Sequence, residues 1–305
     1  MAYDRLVTDE LDLEFDGELL VPRLNLVAYH QIYALEGWLR RLCLTVWMCE
    51  FGDRWIDEID PSIRRTLVTR SERNRRRLYL GAESHTDLIW ETTHGELIKL
   101  LTSDKVAGRT TAMTGAEPVF IQAKLDEIRE IRNLLAHNRA LSRKTHVILA
   151  GLLASLEDMV DSFKRDILYG PPTILDGRSE GLGSYFDHLL KGNNWSKFQA
   201  FVALRGDLVE FVSLPVERDG SWPDAKKLLQ AFHHHLYGIV AFCLNKSGNE
   251  FSVVIPIAMG DDFHHALADT FTKNPSVWST VDFEGQEARY VCSPKIWFYE
   301  NRAPS

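Results

Sequence analysis

The most informative absences in this sequence concern long apolar runs and paired cysteines. No apolar run approaches the roughly 18 residues that a membrane-spanning helix needs, and the stretch from Met1 to Asp16 is acidic, unlike a secretory signal. The four cysteines are scattered and form no C-x-x-C pair. This pattern argues against a disulfide framework and against a cysteine zinc site. We therefore expect a reduced, cytoplasmic protein that does not contact a membrane.

Positive charge is scarce overall, because the chain carries a formal net charge of −8. Such a balance argues against a protein coated for nucleic-acid binding. The exception lies between Pro61 and Arg77, where seven arginines face one acid, Glu72. These arginines are Arg64, Arg65, Arg70, Arg73, Arg75, Arg76 and Arg77. Two interpretations stay open, a solvated surface or a surface that attracts the phosphate backbone of RNA.

The length of 305 residues suits two modest cores better than one large core. Residues 1–22 are predicted to be an N-terminal arm, and residues 23–168 an all-α helical bundle. Tyr169-Gly170-Pro171-Pro172 starts a linker over residues 169–184. Residues 185–305 contain hairpin signals, such as Arg205-Gly206-Asp207 between two apolar runs. They predict an α+β domain with a mainly antiparallel sheet.

Apolar periodicity places the helices of the bundle. Helices are expected over Pro22–Cys49, Pro61–Leu80, Glu83–Thr102, from Pro118 to about Asn138, and over Ser142–Leu168. The small polar residues 103–117 predict a mobile loop. In the helix after Pro118, Arg132 falls within about 40° of the centre of the apolar stripe, whereas Asn133 and His137 share the opposite side. A buried arginine needs a partner, because an unpaired buried charge is costly.

The arrangement R-N-x-x-x-H of Arg132, Asn133 and His137 resembles the signature of HEPN domains. Two further stretches support the resemblance. Tyr33 to Arg40 (Y-A-L-E-G-W-L-R) is similar to the first helix of one HEPN branch, and Leu88 to Leu101 is similar to its middle helix. The resemblance spans residues 25–168 and implies an all-α domain of the kind found in prokaryotic toxins, abortive-infection proteins and RNA-processing factors. The C-terminal domain resembles no family.

The resemblance implies metal-independent RNA cleavage in a homodimer built through the bundle. His137 would act as general base or acid, and Arg132 would hold the phosphate. Asn133 would orient the imidazole or donate to phosphate, and Glu36, Arg40 and Arg139 are assigned supporting roles. An antitoxin or a defence-system protein is the expected protein partner. No cofactor is expected.

Several alternatives remain open at this stage. A regular helix places Arg132 and His137 about 140° apart, so either the helix loosens near Asn138 or a second chain completes the site. Many HEPN domains have lost catalysis and serve as dimerisation or ligand-binding modules. Arg132 would then only pair with Glu36 inside the bundle, an ion pair predicted in either case. Histidines at 233–235 and 264–265 suggest a metal, but consecutive helical residues point 100° apart and cannot all bind one ion, so no metal site is predicted.

Overall fold

The structure, a computed structural model, places an all-α N-terminal part before a C-terminal part that contains the strands. It describes residues 22–76, 88–164, 173–174, 198–205, 207–215, 222–223, 232, 234–245, 250–273 and 278–279. Its α-helices are α1 (Arg23–Phe51), α2 (Trp55–Glu58), α3 (Pro61–Arg75), α4 (His94–Leu101), α5 (Ala107–Thr114), α6 (Pro118–Ala136), α7 (Arg143–Lys164) and α8 (Asp261–Lys273). The predicted helical N-terminal domain is confirmed. Apart from Pro22, the predicted arm lies outside the described residues.

Helix α1 is the central element of the bundle, and its buried side chains recur at three- and four-residue intervals from Ala28 through Leu42 to Met48. Near its C-terminus, the indole Nε1 of Trp47 donates to the carbonyl oxygen of Leu100 in α4 at 3.1 Å. The helix ends at Gly52, whose φ of +63° lies in the left-handed region. It thus ends two residues beyond the predicted Cys49.

The predicted single helix over Glu83–Thr102 is wrong, because the chain breaks within it. A 3₁₀ turn over Leu88–Glu91 ends before Thr92, and α4 starts afresh at His94. The cause is a capping box in which the Thr93 hydroxyl accepts from the backbone N–H of Glu96 while the Glu96 carboxylate accepts from the N–H of Thr93. The break brings His94 into the first turn of α4, where it is buried.

The predicted loop over residues 103–117 is also wrong, because it contains α5. This helix has little apolar periodicity, and tertiary contacts hold it in place. The buried Thr110 donates its hydroxyl to the carbonyl oxygen of Leu101 at 3.1 Å. Gly115, with φ +67°, ends the helix in the left-handed conformation that favours glycine.

Helices α6 and α7 pack on α1 and complete the bundle. α6 begins at Pro118, as predicted, and buries Ile121, Leu125, Ile128 and Ile131. α7 buries Leu149, Leu152, Leu156, Met159 and Phe163 along one side. None of the helices in the described part of the chain is both long and apolar enough to cross a membrane.

The described strands are β1 (Thr173–Ile174), β2 (Phe198–Arg205), β3 (Leu208–Pro215), β4 (Trp222–Pro223), β5 (Ala241–Asn245), β6 (Glu250–Pro256) and β7 (Trp278–Ser279). Five of them form an antiparallel sheet in the order β1-β2-β3-β6-β5, while β4 pairs with β7. Strand β1 falls within the predicted linker. The existence of a separate α+β domain stays a prediction.

The bundle meets the sheet at the C-terminal end of α1. The 3₁₀ turn over Ile257–Met259, which follows β6, packs against α1 and Gly52. Arg109 of α5 pairs with Glu50 at 2.7 Å and also with Asp207 at the β2–β3 turn. Apolar contacts continue across this junction, because the buried residues of the bundle and those of β6 and α8 belong to one hydrophobic cluster.

Candidate functional site

A buried carboxylate joins three helices at the centre of the candidate site. Glu36 of α1 is only 6% exposed, and its Oε1 accepts a hydrogen bond from Arg132 Nε of α6 at 2.8 Å. Its Oε2 accepts from Arg40 Nη2, one turn further along α1, at 3.3 Å. The predicted ion pair between Glu36 and Arg132 is therefore confirmed.

His94 is the third partner of this carboxylate and is the residue that sequence reasoning missed. Its Nδ1 lies 3.3 Å from Glu36 Oε1, and its Nε2 lies 3.0 Å from the carbonyl oxygen of Leu125. A carbonyl and a carboxylate both accept hydrogen bonds, so each ring nitrogen of His94 faces an acceptor. No pattern in the sequence indicates this role, because the contact needs α1, α4 and α6 to converge.

The surrounding charges keep Glu36 ionised. Burial on its own would raise the pKa of this carboxyl group. The hydrogen bond from His94 and the positive charges of Arg132 and Arg40 outweigh burial and lower the pKa to about 2. One carboxylate thus faces two guanidinium groups and an imidazole. The cluster has an excess of positive charge.

The two arginines on Glu36 differ in exposure. The Arg40 side chain is 14% exposed, and its Nη2 also donates to the carbonyl oxygen of Thr92 at 3.0 Å. The Arg132 side chain is 41% exposed, so the prediction of a buried Arg132 is wrong. Within the described part of the chain, Arg132 uses only Nε for a protein hydrogen bond. Its two terminal nitrogens therefore remain as donors for a ligand.

His137 lies just beyond the end of α6, in a turn that the sequence explains. The N–H of Arg139 donates to the carbonyl oxygen of Leu134, and the N–H of Asn138 donates to that of Leu135, both at 3.0 Å. This pair of bonds is a Schellman motif, which requires a left-handed residue. Asn138 takes that place with φ +55°, a conformation that asparagine tolerates better than most residues.

Helix α6 ends at Ala136, and His137 is its C-cap residue, with φ −96° and ψ 18°. The N–H of His137 still donates to the carbonyl oxygen of Asn133 at 3.1 Å, which is the i to i−4 bond of an α-helix. The side chains of Arg132 and His137 therefore keep about the 140° separation of a regular helix, because the left-handed residue Asn138 comes only after His137. Completion of the site by a second chain stays a prediction. The His137 side chain is exposed, as is Asn133 one turn earlier.

Asn25 fixes the segment after His137 to the start of α1. Its side-chain Nδ2 donates to the carbonyl oxygen of Arg139 at 3.0 Å, and its Oδ1 accepts from the N–H of Leu141 at 2.9 Å. With the Glu36–Arg132 pair, this gives two anchor points between α1 and the end of α6. Arg132 binds Glu36, whereas Arg139, which comes later in the chain, binds Asn25, which comes earlier in α1. The two helices therefore run antiparallel.

The anchored segments are free of acidic residues. Neither residues 22–35 nor residues 131–156 contain an aspartate or a glutamate, although the chain has 43 of them. The two segments meet at one end of the bundle, here called the basic end, whose cations are Arg23, Arg132, Arg139, Arg143 and Lys144. All of them except the half-buried Arg132 are exposed. The absence of acidic residues from 131 to 156 is visible in the sequence, but the RNA-binding surface was predicted at the arginine run of residues 61–77 instead.

The arginine run of α3 is partly engaged in ion pairs. Arg64 pairs with Asp57 at 2.7 Å, and Arg70 binds both oxygens of Glu96 at 2.9 and 3.2 Å as well as the carbonyl oxygen of Glu91. Arg70 is therefore a structural residue that holds α3 against the capping box of α4, which corrects its assignment to RNA binding. The exposed side chains are Arg64, Arg65, Arg73, Arg75 and Arg76, while Arg77 lies outside the described residues.

Other reactive groups in the described part of the chain suggest no separate chemistry. No three metal-binding side chains converge there. His264 is buried with its Nε2 3.1 Å from the carbonyl oxygen of Pro256, and His235 Nε2 lies 3.0 Å from the Thr270 hydroxyl. Cys43 and Cys49 are buried free thiols whose pKa values are raised by burial, which disfavours the nucleophilic thiolate.

Comparison of this chain with protein-family models, with curated proteins and with solved structures finds no match.

Proposed function

We propose that this protein is a metal-independent endoribonuclease of the HEPN type, acting in a prokaryotic toxin or antiviral-defence system. The observation that carries the proposal is the state of Arg132. Its guanidinium is held through Nε by the buried Glu36, while its side chain stays 41% exposed at the basic end. A guanidinium that is held through Nε and keeps its two terminal nitrogens available is suited to bind a phosphate.

The chemistry follows from the exposed His137 and from Arg132. His137 takes the proton from a ribose 2′-hydroxyl, and the 2′-oxygen attacks the adjacent phosphorus. The bond to the 5′-oxygen breaks, and that oxygen receives a proton as it leaves. Arg132 binds the non-bridging oxygens as negative charge develops on them, and Asn133 donates to the phosphate or orients the imidazole. The products are a 2′,3′-cyclic phosphate and a 5′-hydroxyl, and no metal is needed because the nucleophile is internal.

The charge around His137 favours this proposal over a non-catalytic HEPN module, the alternative function. An acidic surface around His137 would repel RNA and would favour that alternative. The side chains anchored next to His137 belong to the acid-free basic end, in a chain whose net charge is −8. This local excess of positive charge suits a phosphate backbone. Arg139 belongs to it, as do Arg143 and Lys144.

The direct test is incubation of the full chain with RNA in the presence of EDTA. We expect cleavage that leaves 2′,3′-cyclic phosphate ends, abolished by His137→Ala and strongly reduced by Arg132→Lys, which keeps the charge but loses the planar fork. His234→Ala, at an exposed histidine in the C-terminal part, is the matched control and should retain full activity. Full activity in His137→Ala would refute the assignment, and binding without any cleavage would favour the non-catalytic alternative.

We further propose that the active unit is a homodimer built through the helical bundle, with His137 of each chain at a shared cleft. Cleavage needs one group that removes a proton and one that supplies a proton, and two copies of His137 can provide both. Mixing His137→Ala chains with an equal amount of wild-type chains tests this, because a mixed dimer has only one of the two His137 side chains. Random mixing of a two-fold dimer leaves about a quarter of the dimers wild type, so activity should fall to about a quarter of the value for the same total amount of wild-type chain. A fall to only about one half, which simple dilution gives, would refute the shared cleft.

A further inference from the structure

Two tyrosines on α1 expose unusually large parts of their rings to solvent. Tyr29 is 65% exposed and Tyr33 is 67% exposed, more than any other aromatic side chain in the described part of the chain. Neither hydroxyl has a hydrogen-bond partner there. Single exposed apolar residues are common on protein surfaces, but two rings one helical turn apart make a continuous aromatic surface.

The position of this surface follows from the two anchors between α1 and α6. At 100° per residue, Tyr29 points about 20° and Tyr33 about 60° from the direction of Glu36 around α1, and Asn25 points about 20° to the other side. Along the axis, Tyr33 lies about 4.5 Å and Tyr29 about 10 Å from Glu36, towards Asn25. Glu36 holds Arg132, and Asn25 holds Arg139. The two rings therefore lie between the anchors, alongside the chain segment that carries His137.

We propose that Tyr29 and Tyr33 form a stacking platform for the bases of single-stranded RNA, next to the phosphate held by Arg132. This inference rests on the proposed ribonuclease function and adds the substrate class to it. Aromatic rings bind bases of any sequence through their faces, while neighbouring cations follow the phosphates. The surface formed by Tyr29 and Tyr33 has both features, because residues 22–35 carry no acidic residue and belong to the basic end.

The platform implies a preference for unpaired RNA. Bases in a duplex are already stacked on each other and are not available to side chains, whereas loops and single strands offer free base faces. We therefore expect cleavage of single strands and hairpin loops, with paired regions protected. Little dependence on base identity is expected, since stacking does not read the hydrogen-bonding edges.

Binding measurements on the full chain separate stacking from charge. In the His137→Ala background, which prevents cleavage, Tyr29→Ala and Tyr33→Ala should each raise the Kd for a fluorescent single-stranded oligonucleotide by about 5- to 150-fold. Tyr→Phe at either position keeps the ring and should bind as the parent does. The slope of log Kd against log salt should not change in the tyrosine variants. It should fall by about one in Arg139→Ala, which removes a phosphate contact.

Phe120→Ala is the matched control, because Phe120 is an exposed aromatic residue at the opposite end of α6. It should bind RNA as tightly as the parent. If the parent chain binds and cleaves RNA but Tyr29→Ala and Tyr33→Ala leave binding unchanged, the platform is refuted and the ribonuclease stands. If the wild-type chain neither binds nor cleaves RNA, both proposals fail. If the tyrosine variants turn a dimer into a monomer by light scattering, the rings belong to a contact between chains, and the platform is again wrong.

Discussion

Replacement of Glu36 by glutamine is the sharpest test of the network that fixes Arg132. The substitution preserves the shape of the side chain but removes the negative charge that faces Arg40, Arg132 and His94. The pKa of Glu36 falls from an ordinary 4.5 to about 2 in the folded protein. Each pKa unit corresponds to about 1.4 kcal/mol, so the ionised carboxylate contributes about 3 kcal/mol to the free energy of unfolding near neutral pH. Loss of one member of a buried ion pair has a similar magnitude, about 3–5 kcal/mol.

The same pKa shift fixes how this contribution varies with pH. The folded-state pKa lies below the unfolded value, so the unfolded chain binds the proton more readily than the folded chain does. The contribution of Glu36 is therefore complete above its unfolded pKa of 4.5 and is lost as the pH falls towards 2. We expect the difference in stability between wild type and Glu36→Gln to be largest at neutral pH and to shrink steadily in acid.

Urea unfolding at several pH values measures this difference. Glu127→Gln, at an exposed glutamate on α6, is the control for removing one negative charge from the chain and should change stability by about 0.5 kcal/mol or less. A Glu36→Gln effect as small as that of the control at neutral pH would mean that the carboxylate does not hold the three helices together. A large effect that is independent of pH would refute its electrostatic origin.

Two further pairs of variants test the site and the fold by thermal or urea unfolding. His137→Ala should abolish cleavage and leave stability unchanged. Arg132→Ala should abolish cleavage and also lower the free energy of unfolding by about 1–2 kcal/mol, because the buried carboxylate of Glu36 loses one donor. Equal stability of the two variants would contradict this. Gly52→Ala should destabilise by about 2 kcal/mol or more, since its φ is +63° and a Cβ would overlap the carbonyl oxygen of Ala258. Gly37→Ala, inside α1 with open space around it, should instead stabilise by up to about 1 kcal/mol, and the reverse order would be incompatible with the packing at Gly52.

The long helices could be predicted because their stability comes from a continuous apolar stripe that the sequence displays. For α1, α6 and α7 this stripe fixed the extent to within a few residues. The ion pair of Glu36 with Arg132 could also be anticipated, since an arginine near an apolar stripe needs an acid on a neighbouring helix. Both inferences use information carried by one helix and a single partner.

What could not be predicted depends on contacts between several elements. Helix α5 has almost no apolar stripe, and its buried Thr110 hydroxyl is satisfied by the carbonyl group of Leu101, which lies outside the helix and which only the fold brings near. The sequence pattern does not predict the break before α4, because apolar residues continue on both sides of the capping box at Thr93. His94 then becomes part of the site only because that break places it against Glu36.

The contrast between Arg40 and Arg132 bears most directly on whether the ion pairs around Glu36 have a role besides stabilising the fold. Both guanidinium groups bind the same carboxylate, but Arg40 is 14% exposed and also donates to the Thr92 carbonyl, as expected of a structural residue. A purely structural Arg132 would be expected to bury its remaining donors in the same way, yet its side chain is 41% exposed and only Nε is used within the described residues. Two guanidinium groups on one buried carboxylate leave an excess of positive charge, and the exposed end of Arg132 is where that excess reaches solvent. An anionic ligand at this position would neutralise it, and the exposed His137 lies about 7 Å further along the helix axis.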